Sequence, residues 1–242
     1  MTLAGQTIVV AGASSGMGRA TALMAAEAGA DLVLIARSAD ALAAVAGEIQ
    51  ERRKDAKAWA IVADAGDADA AARAIDEAHQ RAGRIDALVN SVGTNIARRA
   101  LGELTSESWR DMVAANLDAA FNLTRAIVPH FRGAGGGLLI HVSSIAARRA
   151  DRSGVAYQAT KAGVVALAHG TMEEEREHGV RVTAILPGMT DTPLLDKRPT
   201  PPTPEMRRNA LQPSDVAAAC LFVLGLPPRA HVSEILLQPS RG

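Results

Sequence analysis

Thr7-Ile8-Val9-Val10-Ala11-Gly12-Ala13-Ser14-Ser15-Gly16-Met17-Gly18 is the stretch that decides the fold. Five apolar-rich residues run straight into a glycine turn, and an alanine-rich segment of helical composition follows. The turn reads Gly-x-x-x-Gly-x-Gly. Gly12 permits a sharp exit from a strand, Gly16 lets backbone approach a ligand without a Cβ in the way, and Gly18 lets a helix pack close to a sheet. The first N–H groups of a helix have no intrahelical partner, so a helix opening at Gly16 aims free donors at an anion such as a pyrophosphate. Ser14 and Ser15 add hydroxyls, and Met17 completes the turn. A structural glycine turn in any α/β protein would look similar, so the rest of the chain has to decide.

Outward from that turn, short apolar runs alternate with longer alanine-rich, charged segments. Strands are predicted at 7–13, 31–37, 58–64, 87–92, 138–144, 180–187 and 234–238, and helices at about 16–29, 40–54, 67–83, 106–131, 155–178 and 214–225. Most strands are apolar throughout rather than alternating, which suits strands covered on both faces. The regular alternation predicts a doubly wound, parallel, seven-stranded α/β sheet, a Rossmann fold with helices on both faces, in a single domain over 1–242. Thr190 to Pro213 interrupts the rhythm with Pro193, Pro199, Pro201, Pro202, Pro204 and Pro213. That density excludes a long helix, and the segment is read as a lid on the substrate side.

Strand two ends Leu34-Ile35-Ala36-Arg37-Ser38. A site for NAD usually carries a carboxylate near this place to accept from the ribose 2′-OH. Here Ala36 stands there, and the guanidinium of Arg37 matches a 2′-phosphate. NADP(H) is therefore expected to be preferred, with NAD(H) possible. Ser38 offers a further hydroxyl, and Asp40 is expected to cap the next helix.

Tyr157 and Lys161 are four residues apart at the start of a predicted helix, hence on one face. A free tyrosine has a pKa of about 10, and an adjacent ammonium is expected to lower it, so that Tyr157, the chain's one tyrosine, can exchange a proton near neutral pH. Leu138-Leu139-Ile140-His141-Val142-Ser143-Ser144 is an apolar strand ending in two serines. Ligands in such sheets bind beyond the strands' carboxyl ends, where Ser143 or Ser144 can hydrogen-bond a substrate oxygen that gains charge. His141, mid-strand, reads as a core histidine.

These motifs resemble those of the short-chain dehydrogenase/reductases of roughly 250 residues, over essentially the whole chain. The resemblance implies an oxidoreductase that interconverts a carbonyl and an alcohol. It selects Ser144, thirteen residues before Tyr157, as the residue that orients the substrate oxygen. It assigns ribose binding to Lys161. It identifies Asn116, in Ala115-Asn116-Leu117, as the fourth catalytic residue, holding a water that links Lys161 to solvent. It implies that Asp64, with Ala65 after it, meets the adenine. Pro187-Gly188, Thr190 and Thr192 would hold the nicotinamide side. Asn90 and Gly93 keep the backbone turn after strand four, although Asn90-Ser91-Val92-Gly93 departs from the family's Asn-Asn-Ala-Gly. The end, Glu234 to Ser240, lacks the family's usual Gly-Gly. It resembles reductases of small carbonyl or hydroxy compounds more than typical acyl-carrier-protein reductases, although a 3-oxoacyl reductase is the alternative within the class. A nucleotide-sensing protein without turnover is the alternative outside it, but such a protein has no chemical need for Ser144, Tyr157 and Lys161. A homotetramer or dimer is implied, joined through the helices at 106–131 and 155–178 and the last strand, with Ala114, Ala115, Ala119 and Ala120 allowing close approach.

Composition bounds the partners. With 26 basic and 26 acidic residues the formal charge is zero, which gives no electrostatic case for nucleic acid or an anionic membrane. Met1 to Gly5 lacks the basic and apolar regions of a signal peptide, and no stretch approaches the ~20 apolar residues of a membrane span, so a cytoplasmic location is expected. Cys220, the single cysteine, reads as a small buried hydrophobe, and no metal site is expected. Ala146 and Ala147 should line a small-molecule pocket. Arg98, Arg99, Arg148, Arg149 and Arg152 lie on loops near it, where arginines are commonly solvated but can attract an acidic substrate.

Overall fold

A computed structural model describes residues 2–241. In chain order the elements are β1 (Thr7–Ala11), α1 (Gly16–Glu27), β2 (Asp31–Ala36), α2 (Ala39–Arg52), β3 (Ala58–Val62), α3 (Ala68–Ala82) and β4 (Ala87–Asn90). They continue with α4 (Ser106–Val113), α5 (Ala119–Gly133), β5 (Gly137–Val142), α6 (Val155–Glu175), β6 (Val180–Pro187), α7 (Pro204–Asn209), α8 (Pro213–Leu224) and β7 (Glu234–Leu237). All seven strands are parallel in one sheet of order β3-β2-β1-β4-β5-β6-β7. The direction of winding reverses between β1 and β4, and a crevice opens there beyond the strand ends.

Strand periodicity builds both layers of the core. Ile8 and Val10 of β1 join Leu23 of α1, Leu42 and Ile49 of α2 and Val216 and Cys220 of α8. Val9 and Ala11 point the other way, to Ala74 and Ile75 of α3, Leu123 and Ile127 of α5 and Val165 of α6. Successive side chains of a strand face opposite sides, so a strand covered on both sides has to be apolar at every position; β1 is buried throughout. Cys220 is fully buried, and burial pushes its thiol up to about 12, so it packs as a hydrophobe.

Three expectations are corrected. The helix predicted over 106–131 is interrupted by a π turn at Ala114–Asp118. Ser38, not Asp40, caps α2: its Oγ accepts from the Ala41 amide at 3.3 Å. Ala119 and Ala120 are fully buried within this chain, so they pack on its own sheet rather than against a partner's helices. The 190–213 segment has no long helix, as expected, but it carries a 3₁₀ turn at Pro193–Lys197 and the short α7.

Candidate active site

At the switch point β1 ends in a turn with no room for a side chain at Gly12 or Gly18. Gly12 has φ +80°, and a Cβ on it would lie 2.8 Å from the Ser91 carbonyl; a Cβ on Gly18 would lie 2.2 Å from the Gly12 oxygen. The turn therefore brings the start of α1 against the ends of β1 and β4. Ser15, at the N-cap of α1, makes no side-chain cap bond, so the first amides of the helix face outward without a protein partner.

These amides open on a cleft of about 410 Å³. Of the residues singled out by sequence, Gly12, Ser14, Ser15, Gly16, Met17, Arg37, Asp64, Ala65, Gly93 and Thr192 line it, together with Ser91, Thr94, Ala115, Leu194 and Lys197. The cleft fits an elongated dinucleotide: helix amides and hydroxyls at the turn, an apolar wall at Ile35 and Ala36, and an exposed Arg37 at one end. Asp64 lies beside Arg37, with Oδ2 3.9 Å from Nη1, and its Oδ1 accepts from the Gly66 amide at 2.9 Å. Ser91 and Thr94 were readable in principle, because they follow β4 at its carboxyl end. Lys197 carried no local signal.

Other predicted cofactor residues act one step back. Gly18 packs on the Gly12 carbonyl. Asn90 Oδ1 accepts from the Val92 amide at 3.0 Å, and its Nδ2 meets His141 Nδ1 at 3.1 Å. Pro187 closes β6, Gly188 donates to the Leu237 carbonyl at 2.7 Å, and Thr190 Oγ1 donates to the Gly188 carbonyl at 3.1 Å.

None of the four predicted catalytic residues is itself part of the cleft lining; Lys161 and Asn116 stand behind Gly93, which is, and Tyr157 lies next to Lys161 and Ser144. A Cβ on Gly93 would lie 2.9 Å from Lys161 Nζ and 3.3 Å from Asn116 Oδ1. Lys161 is buried, its Nζ donating to the Val142 carbonyl at 3.2 Å and standing 5.8 Å from the centroid of the Tyr157 ring. Asn116 is held through Oδ1 by the Thr94 amide at 2.7 Å, and its Nδ2 donates to the Thr94 carbonyl at 3.1 Å and to Thr160 Oγ1 at 3.2 Å. The two serines separate: Ser143 Oγ donates to the Lys161 carbonyl at 2.8 Å, which fixes α6 on the sheet, whereas Ser144 faces Tyr157 while accepting from the Ala146 amide at 3.1 Å.

Burial pushes the Tyr157 hydroxyl above the ordinary tyrosine value; the Ser144 hydroxyl opposes this by hydrogen bonding, Arg99 and Arg198 oppose it by charge, and Asp151 reinforces it. The expectation that Lys161 lowers Tyr157 is therefore corrected. Its ammonium lies over the ring and is engaged by the Val142 carbonyl, and desolvation wins. The same burial brings Lys161 down to about 8. The arrangement can present one protonated phenol, one serine hydroxyl and one ammonium to a molecule at the inner end of the cleft.

The 190–213 segment reaches the cleft from the other side. Lys197 Nζ donates to Thr94 Oγ1 at 2.8 Å, and Arg99 Nη2 donates to the Lys197 carbonyl at 2.6 Å. No helix among the described residues is long and apolar enough to cross a membrane.

Comparison with known proteins agrees with this architecture. The short chain dehydrogenase family matches residues 6–202. An uncharacterised oxidoreductase of Staphylococcus saprophyticus is 32% identical over 96% of each chain. An alcohol dehydrogenase of the archaeon Thermococcus sibiricus, solved with 5-hydroxy-NADP, is similar at a TM-score of 0.88 and 28% identity, covering 98% of this chain and 97% of that one. A 3-ketoacyl-(acyl-carrier-protein) reductase of Brucella melitensis, solved with NADH, is similar at a TM-score of 0.88 and 27% identity over 97% of each. The chain belongs to the short chain dehydrogenase family and is an NAD(P)-dependent oxidoreductase.

Proposed function

We propose that the protein interconverts a carbonyl compound and a secondary alcohol, with Tyr157 exchanging the proton and NADP(H) as the preferred cofactor. The observation that carries this reading is that Lys161 and Asn116 stand directly behind Gly93 of the glycine-turned cleft, with Lys161 Nζ 5.8 Å from the centroid of the Tyr157 ring. A nicotinamide bound in the cleft supplies or accepts the hydride. The proton is this chain's task. In the reducing direction Tyr157 holds it at Oη, where burial keeps the phenol protonated, and gives it to the substrate oxygen. Ser144 orients that oxygen by hydrogen bonding. Lys161, still largely charged at neutral pH, binds the ribose, and Asn116 ties the Thr94 backbone to Thr160, the residue before Lys161. Both Nδ2 donors of Asn116 are engaged within the protein, so any water it carries is accepted at Oδ1 or bound at the backbone.

Arg37 favours NADP(H). Its side chain is 78% exposed at the cleft mouth, and its 3.9 Å approach to Asp64 is too long for a hydrogen bond, so the guanidinium is available to a 2′-phosphate. A hydrogen bond to a charged group contributes about 1.5–3 kcal/mol, about tenfold or more in affinity. NADPH should therefore bind at least tenfold more tightly than NADH in a fluorescence titration, and Arg37→Ala should weaken NADPH far more than NADH. Equal or tighter binding of NADH by the unaltered protein would overturn this assignment. The same reading assigns the protein to the cytoplasm, where nicotinamide nucleotides are kept, and to a homotetramer or dimer.

A further inference from the structure

Of the five arginines near the pocket, Arg98, Arg148, Arg149 and Arg152 are exposed, whereas Arg99 is only 8% exposed. It stands where two loops meet the start of α6. Its carbonyl oxygen is 2.7 Å from where a Cβ on Gly154 would lie, and Asn95 on the same loop donates Nδ2 to the Ser153 carbonyl at 2.9 Å. On its other side Arg99 Nη2 meets the Lys197 carbonyl of the lid at 2.6 Å. The guanidinium thus lies between the first turn of α6, which carries Tyr157, and the lid.

A guanidinium has five N–H donors. Among the described residues the side chain of Arg99 makes that one hydrogen bond, and no carboxylate lies within 4.0 Å of it. Its Nε is buried without a partner, and so is the Ser153 hydroxyl on the facing loop. Burying a cation without a counter-ion is strongly unfavourable. Arg198, half-buried and also without an ion-pair partner among the described residues, adds a second positive charge that repels Arg99. Both arginines are close enough to Tyr157 to pull its hydroxyl down. The one carboxylate that attracts it, Asp151, is exposed, accepts from the Ser153 amide at 2.8 Å and makes no ion pair with Arg99.

We propose that Arg99, assisted by Arg198, binds a carboxylate of the substrate, so that the enzyme acts on small oxo acids and hydroxy acids in preference to neutral ketones and alcohols. This rests on the carbonyl–alcohol reading above. The planar fork of guanidinium donors matches a carboxylate, and a substrate spanning from Arg99 to Tyr157 would satisfy the unpartnered cation while presenting its carbonyl to the phenol.

The test uses the full-length enzyme with NADPH and a panel of 2-oxo, 3-oxo and 4-oxo acids, each paired with its methyl ester. The expected result is a preference of at least tenfold in kcat/KM for an acid over its ester. Arg99→Gln should cut that ratio at least tenfold, mainly through KM of the acid. Arg198→Gln should shift it less in the same direction, and Arg99→Lys should retain part of it. Thermal unfolding checks that each variant folds. Equal or better turnover of every ester overturns the proposal and leaves the carbonyl–alcohol reading standing. An equal loss for acid and ester in Arg99→Gln also overturns it, and makes Arg99 only a latch on the Lys197 carbonyl. If no carbonyl in the panel turns over, the carbonyl–alcohol reading fails. Calorimetry with the same acids then decides: binding by the unaltered enzyme that Arg99→Gln loses supports the carboxylate site, and no binding overturns it.

Discussion

The Val92 amide donates to Asn90 Oδ1, and this bond fixes a chain of side chains behind it. Asn90 Nδ2 can only donate, so His141 Nδ1 accepts from it. His141 Nε2 then carries the proton and donates to Thr124 Oγ1 at 3.1 Å, and the Thr124 hydroxyl donates to the Ala120 carbonyl at 2.7 Å. His141 is fully buried, and burial, with a smaller repulsion from Lys161, lowers it to about 3. In the unfolded chain an imidazole titrates near 6.5. Between those values the unfolded chain takes up a proton that the fold refuses. Stability from this group is full above about pH 6.5 and falls as pH drops toward 3. Its slope approaches about 1.4 kcal/mol per pH unit between them. Denaturant unfolding from pH 7 to pH 4 should show this extra slope relative to His141→Gln. Identical slopes would contradict the neutral buried imidazole. The core role of His141 was legible from its apolar neighbours, and Tyr157 with Lys161 from a spacing of one helical turn. Arg99 was not separable from its four neighbours, because its burial comes from residues 154 and 197, brought to it only by the fold.

Within the elements, periodicity succeeded where one face decides and failed where a tertiary bond outweighs helical regularity. The π turn at Ala114–Asp118 contains no proline or glycine to announce it. Asn116 is a weak helix former, and the fold gives it three hydrogen bonds to partners outside its helix. In the lid, proline density was read as a bar to a long helix. The same prolines also start short ones: Pro193, Pro204 and Pro213 each open a helical turn, where the missing N–H costs nothing. Thr203 Oγ1 accepts from the Met206 amide at 3.1 Å to cap the second of these. That signal was local and could have been read from Thr203-Pro204.

Across the whole molecule, alternation and the rule of right-handed crossovers made the doubly wound parallel sheet legible, whereas the strand order β3-β2-β1-β4-β5-β6-β7 comes from the structure, since more than one order satisfies the same rules. Assembly does not follow from the alanines proposed for it, two of which are core. The surface offers better support for the proposed oligomer: Trp109 on α4 and Phe121 on α5 are 41% and 48% exposed, and Leu236, on the edge strand β7, is 50% exposed. Large apolar side chains on the helices and the edge strand named by the resemblance suit two separate contacts between copies. Light scattering at micromolar concentration should therefore give a tetramer or dimer, and Phe121→Glu should reduce the mass. A monomer in the unaltered protein would contradict this.

The central claim is that Tyr157 exchanges the proton, and its removal tests that claim most directly. Tyr157→Phe keeps the ring and removes only the hydroxyl. A positioned acid–base group contributes about 10²–10⁴-fold, so steady-state turnover of a good carbonyl substrate should fall at least about a hundredfold while NADPH still binds in a fluorescence titration. A Phe variant that binds NADPH and keeps more than about a tenth of the original rate would contradict the account.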